Sequence, residues 1–263
     1  MASERPARLA GVGALLGLIA LCVSACGSDV RSSSSGVAAV GTVASDLPTG
    51  GEPVRLDPAE FSANIDNPYW PMAPGSRWRY RERDAAGNTR RIEVTVLGKT
   101  ERIAGIDARV VHDVVSENGE VQEDTYDWYA QDSEGNIWYL GEDTTGYEHG
   151  RVKTRKGSWR AGIDGAQAGV ILPAHPRLGV GYRQEYYEGE AEDAAEVLGL
   201  GQRARVPYGF FDRLLVTRDY TPLEPDVVEH KFYALGLGPI LAVTVAGGRD
   251  HEALVRFQRR GSS

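Results

Sequence analysis

Six carboxylates crowd one short stretch of this chain: Glu185, Glu188, Glu190, Glu192, Asp193 and Glu196. Most glycosidases hold the scissile bond between two carboxyl groups, which makes Glu185 and Glu192 the candidates for acid–base chemistry. Glu192 and Glu196 would share one face of a helix, where like charges destabilise unless a cation lies between them. No glycine-containing calcium loop accompanies them. A solvated acidic face is the simpler reading.

Five histidines are scattered at 112, 149, 175, 230 and 251, with no HExxH and no His/Cys cluster, so no metal site is predicted. His112 shares a strand face with Val110 and Val114, and His230 with Val228 and Phe232. Each reads as a polar group in a core or pocket, one that Glu185 would also line if their strands adjoin. A Gly-x-Ser-x-Gly elbow is missing. Gly199-Leu200-Gly201 lacks the strand-to-helix setting that a phosphate-binding loop requires. The pattern predicts no cofactor.

Aromatic residues are denser. Tyr126, Trp128 and Tyr129 precede Trp138 and Tyr139 across a turn, and Trp78 lies upstream. Side chains alternate along a strand, so Tyr126 and Trp128 take one face while Asp127 and Tyr129 take the other. Core packing and cross-strand pairing explain most such clusters. The functional alternative is a platform for a lipid tail or a sugar ring.

These residues sit on a pattern of period two. Trp78 and Tyr80 alternate with Arg77, Arg79 and Arg81, and Ile92, Val94 and Val96 with Glu93 and Thr95, the mark of half-buried strands. Glu117-Asn118-Gly119-Glu120 is a hairpin turn by composition. Ser133 to Asn136 and Glu148-His149-Gly150 read the same way. Residues 159–181, rich in Gly and Pro, read as irregular. Residues 190–198 carry good helix formers and an acidic first turn, and read as one short helix. Phe61 to Gly75, with Pro68, Pro71 and Pro74 around Tyr69 and Trp70, reads as a segment laid across the end of the sheet. The fold class is therefore all-β and mainly antiparallel: a single curved sheet, half-barrel or sandwich with one helix.

The chain carries 29 basic and 37 acidic residues, a net charge of −8. This balance argues against nucleic acid and against electrostatic docking on anionic lipid. From residue 27 to about 53 the composition is that of a flexible linker, including Ser32 to Ser35. The organisation expected is a leader over 1–25, a linker over 26–55 and one β-rich domain over 56–260.

Arg5 and Arg8 precede an apolar run of about 15 residues, Leu9 to Val23. That suits a secretory leader and is short for a membrane-spanning helix, which needs roughly 20. Val23-Ser24-Ala25-Cys26 resembles the lipobox of bacterial lipoproteins. The resemblance implies cleavage before Cys26, acylation of its thiol and anchoring at the extracytoplasmic face of the cell membrane, where two acyl chains hold a protein stably. Cys22 would leave with the leader, so no internal disulfide can form. Pro74-Gly75-x-x-Trp78-x-Tyr80 and Tyr233-x-x-Gly236-x-Gly238 look like the entry and exit motifs of curved half-barrel lipoproteins that handle lipid or chaperone others. The function implied is non-enzymatic: binding an apolar or lipid ligand, or an envelope partner. The alternative is an envelope glycan-binding or glycan-hydrolysing protein using the acidic segment 185–196 and exposed tryptophans.

Overall fold

The computed structural model describes residues 47–259; the leader, the lipobox and Cys26 lie outside the described residues. After a 3-10 turn at Pro58–Glu60, the strands are β1 (Phe61–Ser62), β2 (Arg77–Arg83), β3 (Thr89–Ile103), β4 (Ile106–Glu117), β5 (Glu120–Asp132) and β6 (Ile137–Glu148). Then come β7 (Arg151–Thr154), β8 (Trp159–Arg160), β9 (Gln167–Leu172), β10 (Gly181–Arg183) and β11 (Glu185–Tyr186). The series ends with β12 (Ala194–Val206), β13 (Gly209–Tyr220), β14 (Val228–Ala234), β15 (Gly238–Ala246) and β16 (His251–Gln258).

All pairings are antiparallel, in the order β10-β12-β13-β14-β15-β16-β2-β3-β4-β5-β6-β9-β11. The first and last strands of that path are separated in the chain by one residue, Gln184, so the sheet bends round into a nearly closed barrel. Closure requires a close approach at Gly169, where a Cβ would lie 2.4 Å from the Gln184 backbone. Turn chemistry agrees with the hairpins it predicts: Asn118 and Gly119 adopt φ of 53° and 88°, and His149 and Gly150 51° and 70°, the left-handed pair that a two-residue hairpin needs.

The segment before β2 stops one end of the barrel. Gly236 N–H donates to the Pro68 carbonyl at 2.7 Å, and Asn67 Nδ2 donates to the Gly135 carbonyl at 3.0 Å. Trp70 thereby sits between Tyr129 and Tyr233, with ring centroids 5.8 and 6.2 Å away. Trp78 and Tyr80 extend this core, their polar atoms donating to the carbonyls of Leu237 and Pro239. The turns 84–88, 118–119, 149–150 and 247–250 lie at the opposite end.

Two readings need correction. Residues 190–198 form no helix; a turn at 187–190 leads into β12. Intrinsic propensity is a weak prior that tertiary pairing overrides, and here Ala195 and Val197 alternate inward against Glu196 and Leu198 outward. Residues 159–181 are not wholly irregular: β9 lies between β6 and β11 and is buried along most of its length. A strand covered on both faces loses its alternation and reads as a continuous apolar run. The part of the linker composition that is described, from Leu47, lies against the barrel. Arg183 N–H donates to the Pro48 carbonyl at 2.6 Å, and its guanidinium holds the carbonyls of Gly50, Glu52 and Ala168.

Candidate functional site

Inside the barrel, the end away from the Trp70 stopper is acidic. Nine carboxylates are buried among the described residues: Glu82, Asp113, Glu123, Asp127, Glu142, Glu185, Asp193, Asp219 and Glu252. The inward alternation of the strands places them. On β2 the inward residues are Trp78, Tyr80 and Glu82; on β5 they are Glu123, Thr125, Asp127 and Tyr129. Each strand thus carries aromatic or apolar residues toward the stopper and acids beyond them.

Register brings like charges face to face. Asp127 pairs with Glu142, Glu82 with Glu252, and Asp219 with Glu229. Residues directly opposite in an antiparallel pair have Cβ atoms about 5 Å apart, and like charges there repel. Among the described residues, two buried cations face this band. Lys231 Nζ lies 2.6 Å from Asp219 Oδ2, and Arg90 lies 3.3 Å from Glu82 and 3.8 Å from Glu117. Arg183, the third buried cation, is occupied by backbone carbonyls.

Burial disfavours the charged form of an acid, and a neighbouring carboxylate adds to the effect. Burial, opposed by Arg90, raises Glu82 to about 7. Burial and Asp113 raise Glu123 and Asp127 to about 8, although Asp127 accepts a 2.8 Å hydrogen bond from Tyr139 Oη. Asp193 also reaches about 8 through burial, against the pull of Lys231. Glu142, Glu185 and Glu252 are pushed well above the carboxylate range, first by burial and then by other acids of the band. Lys231 is raised as well: burial works against its charge, but Asp219 and Glu229 outweigh that and hold the ammonium charged.

Several of these groups have polar atoms with no hydrogen-bond partner. They include both oxygens of Glu185, Asp127 Oδ2, Gln184 Oε1 and the Tyr182 hydroxyl. Trp159 Nε1 favours the ionised form of Glu185 but stops short of a hydrogen bond to it. Buried polar atoms are ordinarily satisfied by protein or by water. Glu185, Asp127 and Gln184 thus present acceptors, and Tyr182 and Trp159 donors, that water or another polar group can satisfy.

The residues singled out from the sequence are dispersed. Glu185 belongs to the band. Glu192 does not: it stands in the turn before β12, where its carboxylate accepts the Gly189 N–H at 2.7 Å. His112 lies on the outer surface, stacked on Tyr126 at 4.4 Å with Nε2 3.1 Å from Asp124. His230 is half-buried on the outward face of β14, opposite Arg218 and Val243. The histidines and Glu185 therefore share no pocket.

The aromatic platform is divided in the same way. Tyr129 and Tyr139 stack at 4.9 Å inside the barrel, and Trp78 is core. Trp128 faces outward beneath the Arg160 guanidinium at 4.2 Å. Trp138 packs edge-on against Phe61 and donates to Asp132 at 2.7 Å. Of the five tryptophans, four are buried and Trp138 is half-buried, which removes the exposed tryptophans that the glycan reading needs. Sequence reasoning missed the acid band because its members are spread over seven strands and one turn. The signal available was an acid on the inward register of a strand, as at Asp113 between Val111 and Val115.

Fold and site together define a class: an all-antiparallel β-barrel with one end stopped by aromatics and a carboxylate-lined interior. No family model matches the chain, and no curated protein matches it. Among solved structures it is similar to a Bacteroides fragilis protein assigned as exported, with a YmcC-like fold. That match has a TM-score of 0.41 and 13% identity over 74% of this chain and 100% of that one. It is also similar to a Parabacteroides distasonis protein assigned as a lipoprotein, with a TM-score of 0.40 and 11% identity over 72% of this chain and 98% of that one.

Proposed function

We propose that the chain is an extracytoplasmic, lipid-anchored and non-catalytic binding protein. Its barrel takes an envelope component bearing ammonium groups against the interior acid band. The anchor rests on the lipobox at Cys26. The observation that carries the binding reading is the imbalance inside the barrel, where nine buried carboxylates face Lys231 and Arg90 and the oxygens of Glu185 and Asp127 stand without partners. A cationic guest would ionise these acids and satisfy them at once. An acyl chain would leave them stranded, so the apolar-ligand version of the reading has less support than the polar envelope component. Glycan hydrolysis by Glu185 and Glu192 is disfavoured because the two carboxylates have separate surroundings.

Isothermal titration of the purified chain with spermidine and with glucosamine tests this. At least one amine should bind at pH 8, with affinity falling about tenfold, or about 1.4 kcal/mol, in Glu185→Gln and in Asp127→Asn. Binding should weaken as pH falls and the acids hold their protons. Absence of binding by either amine, with unchanged titrations in both variants, rejects the reading.

A further inference from the structure

The hairpin of β12 and β13 is longer than the barrel wall requires. Its pairing with β14 ends at Leu215, yet the two strands continue to the turn at 207–208. Register shifts at Val197/Gly199, Gly199/Gln202 and Gln202/Ala204, with Arg213 at a φ of 62°, bend this extension, as bulges do. Its tip comes to rest on β16, where Tyr208 N–H donates to the Leu254 carbonyl at 3.0 Å. Strands β14 and β15 stand between β13 and β16 in the sheet, so the extension forms a strap across them. Leu241 and Ala253 point outward by register and are nonetheless buried, as are Val206 and Leu214 of the strap itself.

Among the described residues, none covers the other side of the strap. Leu198, Leu200, Tyr208 and Phe210 are among the large apolar residues that the described chain leaves exposed. Arg205 pairs with Phe210 across the hairpin and lies over its ring at 5.3 Å, and Arg203 shares that face by alternation. Residues 198–213 contain three arginines and one acid, in a chain whose net charge is −8. Aromatic and leucine side chains beside arginine suit the interface of an anionic bilayer, where the rings enter the headgroup boundary and the cations meet phosphate.

The described chain begins at Leu47, beside Arg183 of β10, which pairs with Ala194 at the start of β12, whereas the strap is the other end of that strand. The overall acidity opposes docking of the domain from solution, but a tethered domain needs only a local patch, because the tether supplies a high effective concentration.

We infer that the outer face of the β12–β13 strap docks on an anionic phospholipid surface and orients the barrel on the membrane. This inference does not depend on the ligand proposed for the interior.

The test uses the chain from residue 26 onward carrying Cys26→Ser, so that no acyl chain contributes to binding. An environment-sensitive dye is placed on the strap through Leu200→Cys and, as control, on β7 through Lys153→Cys. The strap dye should shift to the blue on phosphatidylcholine vesicles containing phosphatidylglycerol, and the control dye should not. Partitioning should fall at least tenfold in Arg203→Glu/Arg205→Glu and also fall in Phe210→Ala. The inference is overturned by an equal shift on neutral vesicles, by no shift on anionic ones, or by a shift that grows with protein concentration without vesicles. The last result would mean that a second copy covers the strap.

Discussion

Asp127 on β5 and Glu142 on β6 stand directly opposite each other inside the barrel, both buried, and neither has a cation among its hydrogen-bonding partners. Two carboxylates in that relation cannot both ionise cheaply, so the pair keeps a proton well above the pH at which free carboxyl groups lose theirs. Glu82 and Glu252 are opposed in the same way at the neighbouring wall, with Arg90 3.3 Å from Glu82 offsetting part of the repulsion. This shared property governs the behaviour of the whole interior.

Stability should fall as pH rises. Glu82 is raised to about 7, Glu123, Asp127 and Asp193 to about 8, and Glu142, Glu185 and Glu252 further. A group whose pKa is higher folded than unfolded binds more protons in the folded state. Its contribution is complete below the unfolded pKa, about 4, and is lost as pH climbs through the folded value. One pKa unit corresponds to about 1.4 kcal/mol, and 1 kcal/mol moves Tm by about 2–4 °C in a domain of this size. Calorimetry should show a Tm at least about 5 °C lower at pH 9 than at pH 5. A flat profile over that interval would contradict the description of the band.

Asp127→Asn should flatten part of that slope. The amide keeps the shape and the bond to Tyr139 while removing one of two opposed acids. At pH 9 the variant should melt above the parent, and at pH 5 close to it. Combined with Glu142→Gln, the gain should be less than additive, because either change alone relieves the repulsion.

Lys231→Met should do the opposite. The ammonium is buried and lies 2.6 Å from Asp219 Oδ2, which also accepts from Gln184 Nε2 at 3.3 Å. Removing one partner of a buried pair leaves the other charge stranded, at a cost of about 3–5 kcal/mol. Chemical denaturation at pH 7 measures the loss, and the double variant Lys231→Met/Asp219→Asn should recover part of it.

Gly238→Ala tests the aromatic stopper. This glycine has a φ of 107°, and a Cβ there would lie 2.6 Å from Trp70 Cδ1. The substitution should displace Trp70 from its place between Tyr129 and Tyr233. The expected loss is comparable to Trp70→Ala, about 3–5 kcal/mol, with a changed near-ultraviolet dichroism. Retention of the native spectrum would show that the stopper tolerates movement.

Arg183→Ala should release the residues before β1 without unfolding the barrel. The guanidinium is what binds the carbonyls of Gly50 and Glu52 to that of Ala168. Hydrogen exchange should then quicken over 47–56, while protection in β3 to β5 stays unchanged. Uniform exchange across the domain would mean that Arg183 supports the barrel as a whole.

Much of the fold was legible because it depends on local chemistry. The alternation of Trp78 and Tyr80 with arginines specifies an inward and an outward face, and Asn118-Gly119 specifies a turn whose geometry few other residues adopt. Elements at 190–198 and 167–172 were misread for one reason: what holds them extended is pairing with strands distant in the chain. Ala195 meets Asp219 and Tyr182, and Val170 meets Trp138, partners that no local pattern announces.

By itself, then, the sequence determined an all-β chain with its hairpins placed, a capping segment around Trp70, and an apolar leader that resembles a lipoprotein's. Those are properties of neighbours along the chain. Only the tertiary structure decided that Gln184 closes the barrel and that acids separated by as many as 170 residues, such as Glu82 and Glu252, face one another. It also decided that His112 and His230 face away from Glu185. Burial and register turn ordinary surface-type residues into an interior charge cluster, and both are set by long-range strand pairing.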